Sequence, residues 1–234
     1  MDRGRVAEAF LDLIDLVKQL RGPDGCPWDR EQSDSSIKTY VLEEAYEVLD
    51  AIEKGVPDEV CQELGDLLFQ ILFLADMAEE RGQFGFLEVL EKIKKKMVER
   101  HPHVFGESRA ETPEEVSQNW ARIKERERGG NSNPLSVLEG VPTGLPALQR
   151  AHRLSERAWR LGFLKEDVHE KWLKVEKAME GLKECLAGHG NEGADEKLGV
   201  LLFTLADLAR HLGLNAENSL RSANSKFLDS VQNR

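Results

Sequence analysis

Two short runs carry carboxylates where the surrounding pattern asks for a buried helix. Leu42–Ile52 reads LEEAYEVLDAI and Cys61–Ile71 reads CQELGDLLFQI. Glu44 and Glu47 are three residues apart, as are Glu63 and Asp66, so each pair shares one helix face. Between them, GVPD (Gly55–Asp58) supplies a turn; Glu47 and Glu63 each lie eight residues from Gly55, and Glu44 and Asp66 each lie eleven. A hairpin folded about Gly55 sets Glu47 against Glu63 and Glu44 against Asp66, and four carboxylates converge. Like charges in a partly desolvated place must either hold protons or meet a cation. A hard divalent ion resolves the conflict, since Mg²⁺ and Mn²⁺ prefer carboxylate and water oxygens. No His or Cys stands at ligand spacing among these acids, which disfavours zinc and the Glu-x-x-His pattern of di-iron bundles. Mg²⁺ held by few protein groups completes its shell with water and substrate phosphates, which points to phosphate chemistry. A single Glu-x-x-Glu is most simply a solvated helix face. Here the motif is doubled, mirrored about a turn and set beside Ala45, Leu64, Leu67 and Leu68.

The elements that must position these acids read as helices throughout, and the fold class is all-α. Val6, Phe10, Leu13, Ile14, Val17 and Leu20 fall at helical spacing in the first segment. A Gly/Pro/Asp-rich loop, RGPDGCPWDREQSD, follows, and Ser33–Ser36 offer N-caps for a helix to about Lys54. A second helix runs from the turn to about Arg81, stopped by Gly82, and a third spans Phe86–Arg100 before Pro102. A short helix over 113–128 leads into the linker GGNSNP, and helices resume near Leu148. The expected organisation is residues 1–128, a linker 129–147, and residues 148–234.

Composition narrows the setting. The chain has 234 residues, 40% hydrophobic and 32% charged, enough for a packed core and unlike a disordered segment. A net charge of −11 disfavours binding to nucleic acid or an anionic membrane. Cys26, Cys61 and Cys185 have no paired spacing and read as reduced thiols. The N-terminal segment lacks the apolar run of a signal peptide, and Leu64–Ala78 is too short to span a bilayer. A cytoplasmic protein is expected.

The chain also repeats itself. GDLLFQILFLADMA (Gly65–Ala78) matches GVLLFTLADLARHL (Gly199–Leu212) at an offset of 134, and EEAYE (Glu43–Glu47) matches EKAME (Glu176–Glu180) at 133. Lys95–Met97 matches Ser225–Phe227 at 130. A drifting offset of this size is what loop-length changes in a duplicated unit produce.

Taken together, these residues resemble the MazG family of nucleoside triphosphate pyrophosphohydrolases. The pattern Glu-x-x-Glu, spacer, Glu-x-x-Asp stands here as EAYE…ELGD. GCPWDREQS (Gly25–Ser33), HPHVFG (His101–Gly106), VLEGVPTGLPAL (Val137–Leu148) and RAWRLGF (Arg157–Phe163) resemble MazG segments in order. The resemblance implies Mg²⁺-dependent conversion of nucleoside triphosphate to monophosphate and pyrophosphate, and a homodimer. It implies metal ligands at Glu44, Glu47, Glu63 and Asp66. Glu43 or one of the ligand carboxylates is the candidate proton acceptor for the attacking water. Lys96 and Arg100, one helical turn apart, are candidate phosphate partners, with Lys38 before the first acidic run as another. Trp28 and Gln32 are candidates for touching the base. His101 and His103 flank Pro102 and are expected to pack rather than bind metal.

The second copy departs from this pattern. Aligned on EKAME, it has Lys177, Lys197 and Val200 where the first has Glu44, Glu63 and Asp66, and Glu180 opposite Glu47. A cation in a Mg²⁺ site repels the metal, so this copy is expected to be non-catalytic, a scaffold or a nucleotide sensor. The competing function is accordingly a nucleotide-binding regulatory protein with little or no turnover.

Overall fold

A computed structural model describes residues 1–106, 108–112, 115–116, 119–120, 122–123, 134–187 and 193–232. Every regular element among the described residues is a helix, and the chain divides into two compact units, 1–121 and 122–234. The short helix expected over 113–128 and the GGNSNP stretch lie mostly outside the described residues.

The first unit is built from α1 (Arg3–Arg21), α2 (Pro27–Arg30), α3 (Asp34–Lys54), α4 (Pro57–Glu80), α5 (Phe86–Arg100) and α6 (Pro102–Phe105). Helices α3 and α4 form the main antiparallel hairpin, and α1 lies against α4. The core is Val17 of α1, Ile37 of α3 and Leu72, Phe73 and Met77 of α4, with Phe10, Ile14, Tyr40 and Phe86 packed around them. All the buried α4 residues thus lie between Leu72 and Ala78 in its C-terminal half, leaving the acid-bearing half without a buried residue. Arg21 fastens the loop after α1 to this core. Its NH1 donates to the Asp29 carbonyl at 2.6 Å, its NH2 donates to Glu80 Oε2 at 2.6 Å, and its guanidinium lies 5.0 Å from the Phe73 ring centroid. The loop expected after α1 therefore contains a helical turn, α2, started by Pro27 at N1.

The second unit contains α7 (Pro134–Glu139), α8 (Ala147–Arg160), α9 (Val168–Ala187), α10 (Ala194–His211) and α11 (Ala216–Gln232). Part of the stretch read as linker belongs to it. Val141 is buried, and Arg157 NH1 donates to the Val137 carbonyl, so residues 134–147 fold onto α8. Helices α9 and α10 form a hairpin with α8 against α10.

Residues 134 positions apart have matching burial in the two units: Val17 and Ala151, Ile37 and Lys171, Phe73 and Asp207. The chemistry at these matched places differs. Where the first unit packs Ile37 and Phe73, the second buries an ion pair between Lys171 and Asp207. Arg210 NH2 pairs with Asp207 Oδ1 at 2.9 Å, and Arg210 Nε donates to Ser155 Oγ at 3.1 Å. Lys171 also lies 3.7 Å from Glu166, which Lys174 holds directly. Hydrogen bonding from Lys174 pulls the Glu166 carboxyl down to about 2. Asp207 is depressed because Lys171 and Arg210 together outweigh its burial.

Removing one partner of a buried pair strands the other charge. Lys171→Met should therefore cost about 3 kcal/mol at neutral pH, toward the lower end for such lesions because Arg210 remains on Asp207. Urea unfolding reads this. The penalty should shrink in strong acid, where Asp207 is protonated in either protein and the ammonium has lost its partner.

Candidate metal centre

Local sequence fixes the hairpin that carries the acids. Ser33 caps α3: its Oγ accepts from the Ser36 amide at 3.3 Å, while Ser36 Oγ accepts from the Ser33 amide at 2.9 Å. At the other end Gly55 adopts the left-handed conformation at φ 71°, which a residue with a Cβ adopts only under strain. Pro57 begins α4 at once, so two residues make the whole turn, and Lys54 bridges it to Glu59 at 3.0 Å. A turn that short fixes which residues of α3 face which of α4.

One carboxylate oxygen from each of Glu44, Glu63 and Asp66 lies within 4.8 Å of the other two. Glu47 joins through a hydrogen bond with Glu63. Glu44 and Glu63 are half-buried, and Glu47 and Asp66 are exposed, so the cluster is a cleft rather than an interior site. Partial burial, followed by the charges of Glu47 and Asp66, pushes the Glu44 carboxyl up. Burial raises Glu63 as well, followed by the charges of Glu47 and Asp66 and the hydrogen bond with Glu47. Glu44 and Glu63 thus hold protons more tightly than isolated carboxylates do, because Gln70 beside the first and Lys54 near the second offset only part of the burial and like-charge effects. An all-oxygen donor set with that conflict fits a hard divalent ion and not zinc.

Gln70 was not singled out from the sequence. Its side chain works against the upward shift at Glu44, and its Oε1 is buried without a hydrogen-bond partner. Position supplied a signal, since Gln70 follows Asp66 by four and Glu63 by seven on the same face of α4.

The remaining candidates lie on α3, on α5 and at the α2 turn. Glu43 and Lys38 are exposed on α3, and Lys96 is exposed on α5. The Arg100 guanidinium lies 6.0 Å from the ring centroid of Trp120. Trp28 is exposed, 5.8 Å from the Tyr40 ring, and Gln32 Nε2 donates to the Trp28 carbonyl at 2.9 Å. His101 Nδ1 lies 2.6 Å from the Met97 carbonyl, and its ring meets Trp120 edge-on at 5.2 Å.

The model of the MazG nucleotide pyrophosphohydrolase domain matches residues 32–105. A nucleoside triphosphate pyrophosphohydrolase of Escherichia coli K12 is 41% identical over 220 residues, 92% of this chain and 82% of that protein. The chain belongs to the MazG family. Another relative, the nucleoside triphosphate pyrophosphohydrolase/pyrophosphatase MazG of Thermotoga maritima, is 37% identical over 220 residues, 94% of this chain and 83% of its own. YabN of Bacillus subtilis, uncharacterized, is 38% identical over 219 residues but extends well beyond them, the match covering 44% of its length. The MazG domain match contains the hairpin α3–α4, all four acids and Gln70, and ends before α7 begins.

In the second unit the register of α9 differs from the one read off EKAME. Buried Lys171 and Val175 match Ile37 and Val41 at an offset of 134, not 133. A Cβ placed on Gly181 would lie 4.0 Å from Lys197 Cδ, just as Glu47 meets Glu63 across the first hairpin. The counterparts of Glu44 and Glu47 are therefore Ala178 and Gly181, one residue beyond Lys177 and Glu180. None of the four matching positions carries an acid there.

Because folding raises Glu44 and Glu63, the metal-free folded protein holds protons that the unfolded chain has released, and its stability falls as pH rises through the carboxylate range. Glu63→Gln removes part of that conflict. In EDTA at pH 8 the variant should melt above wild type, with the gap closing towards pH 4. Added Mg²⁺ at pH 8 should raise the Tm of wild type and leave Glu63→Gln nearly unmoved. A variant less stable than wild type in EDTA at pH 8 would contradict the assignment.

Proposed function

We propose that this chain hydrolyses nucleoside triphosphates to nucleoside monophosphate and pyrophosphate, using Mg²⁺, or Mn²⁺ in its place. The observation that carries the reading is the approach of Glu44, Glu63 and Asp66 to within 4.8 Å, with Glu47 acting on Glu63 beside them. Membership of the MazG family and the activity named for its E. coli and T. maritima relatives support it. When bound, such an ion offsets phosphate charge and acidifies water.

The chain's own residues then have separable tasks. Glu44, Glu63 and Asp66, with Glu47 beside them, hold the ion, and Gln70 fixes the orientation of Glu44. Water attacks the α-phosphorus, a new P–O bond forms, and the bond to the β-phosphate oxygen breaks, releasing pyrophosphate. The water proton passes to Glu43 or to a carboxylate of the cluster. Lys38, Lys96 and Arg100 supply cations for the triphosphate, and Trp28 with Gln32 offers a surface for the base. The division of labour places catalysis in residues 1–128 and leaves 148–234 as a degenerate copy of a duplicated unit. Exposed Leu42, Leu49, Ile52, Leu64 and Ile71 on α3–α4 support a homodimer formed over that hairpin. No helix among the described residues is long and apolar enough to cross a membrane, in keeping with a cytoplasmic enzyme.

Pyrophosphate and monophosphate should appear in equal amounts from a panel of nucleoside triphosphates with Mg²⁺. Glu63→Ala should lower kcat on the order of 100-fold or more, since it deletes a direct ligand. Gln70→Leu should cost less, about tenfold, as an orienting contact does. Release of orthophosphate instead would mean that a different bond is cut. Binding of nucleotide without turnover would transfer the chain to the regulatory reading.

A further inference from the structure

The face of the second hairpin that corresponds to the acid cluster is a cavity. Its volume is about 550 Å³, within the range of small-molecule sites. Ala178, Gly181, Lys197, Val200 and Thr204 all line it, and they stand 134 residues after Glu44, Glu47, Glu63, Asp66 and Gln70. Two of the carboxylates have been replaced by residues too small to fill their space. A third has become a cation: the Lys197 stem passes Gly181, where the first hairpin has an acid–acid hydrogen bond.

The charges of the wall are unequally engaged. Lys174 is tied to Glu166, and Glu180 is tied to Lys183 at 3.1 Å. Lys177 and Lys197 make no ion pair with a described residue, while Glu184 is the remaining carboxylate of the lining. Two uncommitted ammonium groups over a small apolar floor are the inverse of a Mg²⁺ site, and an ammonium binds phosphate as a point charge with no metal between them. No aromatic side chain lines the cavity among the described residues, and charge rather than base stacking dominates the recognition it offers.

We propose that the cavity of α9–α10 binds a phosphate-bearing small molecule directly through Lys177 and Lys197, without a divalent ion. The shared chemistry is a phosphoanhydride chain, which free pyrophosphate and a nucleoside triphosphate both present. The site is independent of whether the first hairpin turns over substrate.

Isothermal titration of the full chain in excess EDTA, with inorganic pyrophosphate in one series and ATP in another, tests this. Binding at one site per chain is expected, weakened by salt. Lys197→Ala should weaken it by about tenfold or more, the value of one charge-assisted contact. Lys177→Gln should act in the same direction, and Glu63→Ala, although it abolishes the metal site of the other hairpin, should leave this affinity in EDTA unaltered. Both lysines are exposed, so an unchanged Tm verifies that the variants are folded. Tighter binding of pyrophosphate than of ATP assigns the site to the free anion, and the reverse order assigns it to the nucleotide. Absence of binding in EDTA, or binding indifferent to both lysine variants, overturns the proposal.

Discussion

Gly55 and Val56 are all that separates α3 from α4, and a turn of that length leaves the hairpin no freedom to slide. A register shift of one residue would swing Glu44 and Glu47 away from Glu63 and Asp66. The turn therefore imposes the meeting of like charges, and the charges cannot relieve themselves by moving apart along the helices. What remains open to them is chemical: protonation, which the upward shifts of Glu44 and Glu63 express, or a cation. The rest of the first unit is arranged so that this conflict is survivable. The core occupies the C-terminal half of α4, where Leu72, Phe73 and Met77 pack against α1, and folding stability is generated well away from the acids. Arg21 ties the α2 loop to that same core end, so Trp28 and Gln32 rest on the rigid part of the unit.

In the second unit the hairpin α9–α10 carries no such quartet. At the four matching positions stand Ala178, Gly181, Lys197 and Val200, and a further charge pair lies in the core. Lys171 and Asp207 stand where the first unit packs Ile37 and Phe73, and they join in a network with Arg210 and Ser155, which stand where the first unit already pairs Asp76 with Arg21 at 3.4 Å. Such a network stabilises less than well-packed apolar residues would, yet breaking it is costly.

Much of this was readable from residue order. Ser33, Gly55 and Gly82 mark helix ends by mechanisms that act within a few residues, and the spans of α3, α4 and α5 follow from them. The mirrored spacing of four acids about Gly55 gave the hairpin pairing, because a two-residue turn adds no uncertainty to it. Two kinds of feature escaped. Gln70 has no special type or motif; only its position on the acid face and its effect on Glu44 distinguish it, and that effect depends on tertiary structure. The register of α9 escaped because sequence identity favoured EEAYE over EKAME, while the buried stripe that corrects it contains Lys171. A lysine at 2% exposure breaks the apolar periodicity by which a buried face is recognised. Only its partner Asp207, 36 residues on, explains it.

The open half of α3–α4 follows from the same electrostatics. Covering the acids with another helix of the unit would desolvate them further and raise their proton affinity, which would set protons against any cation and close the cleft to a ligand. Leaving them uncovered has a consequence for their neighbours, since Leu42, Leu49, Ile52, Leu64 and Ile71 on the same two helices are then exposed as well. An acid cluster that needs water and a set of aliphatic side chains that does not cannot both be served by one solvent-facing surface. A second hairpin docked on the aliphatic side, with the cleft left free, satisfies both, and that is the physical reason the proposed dimer and the proposed metal site belong to one design.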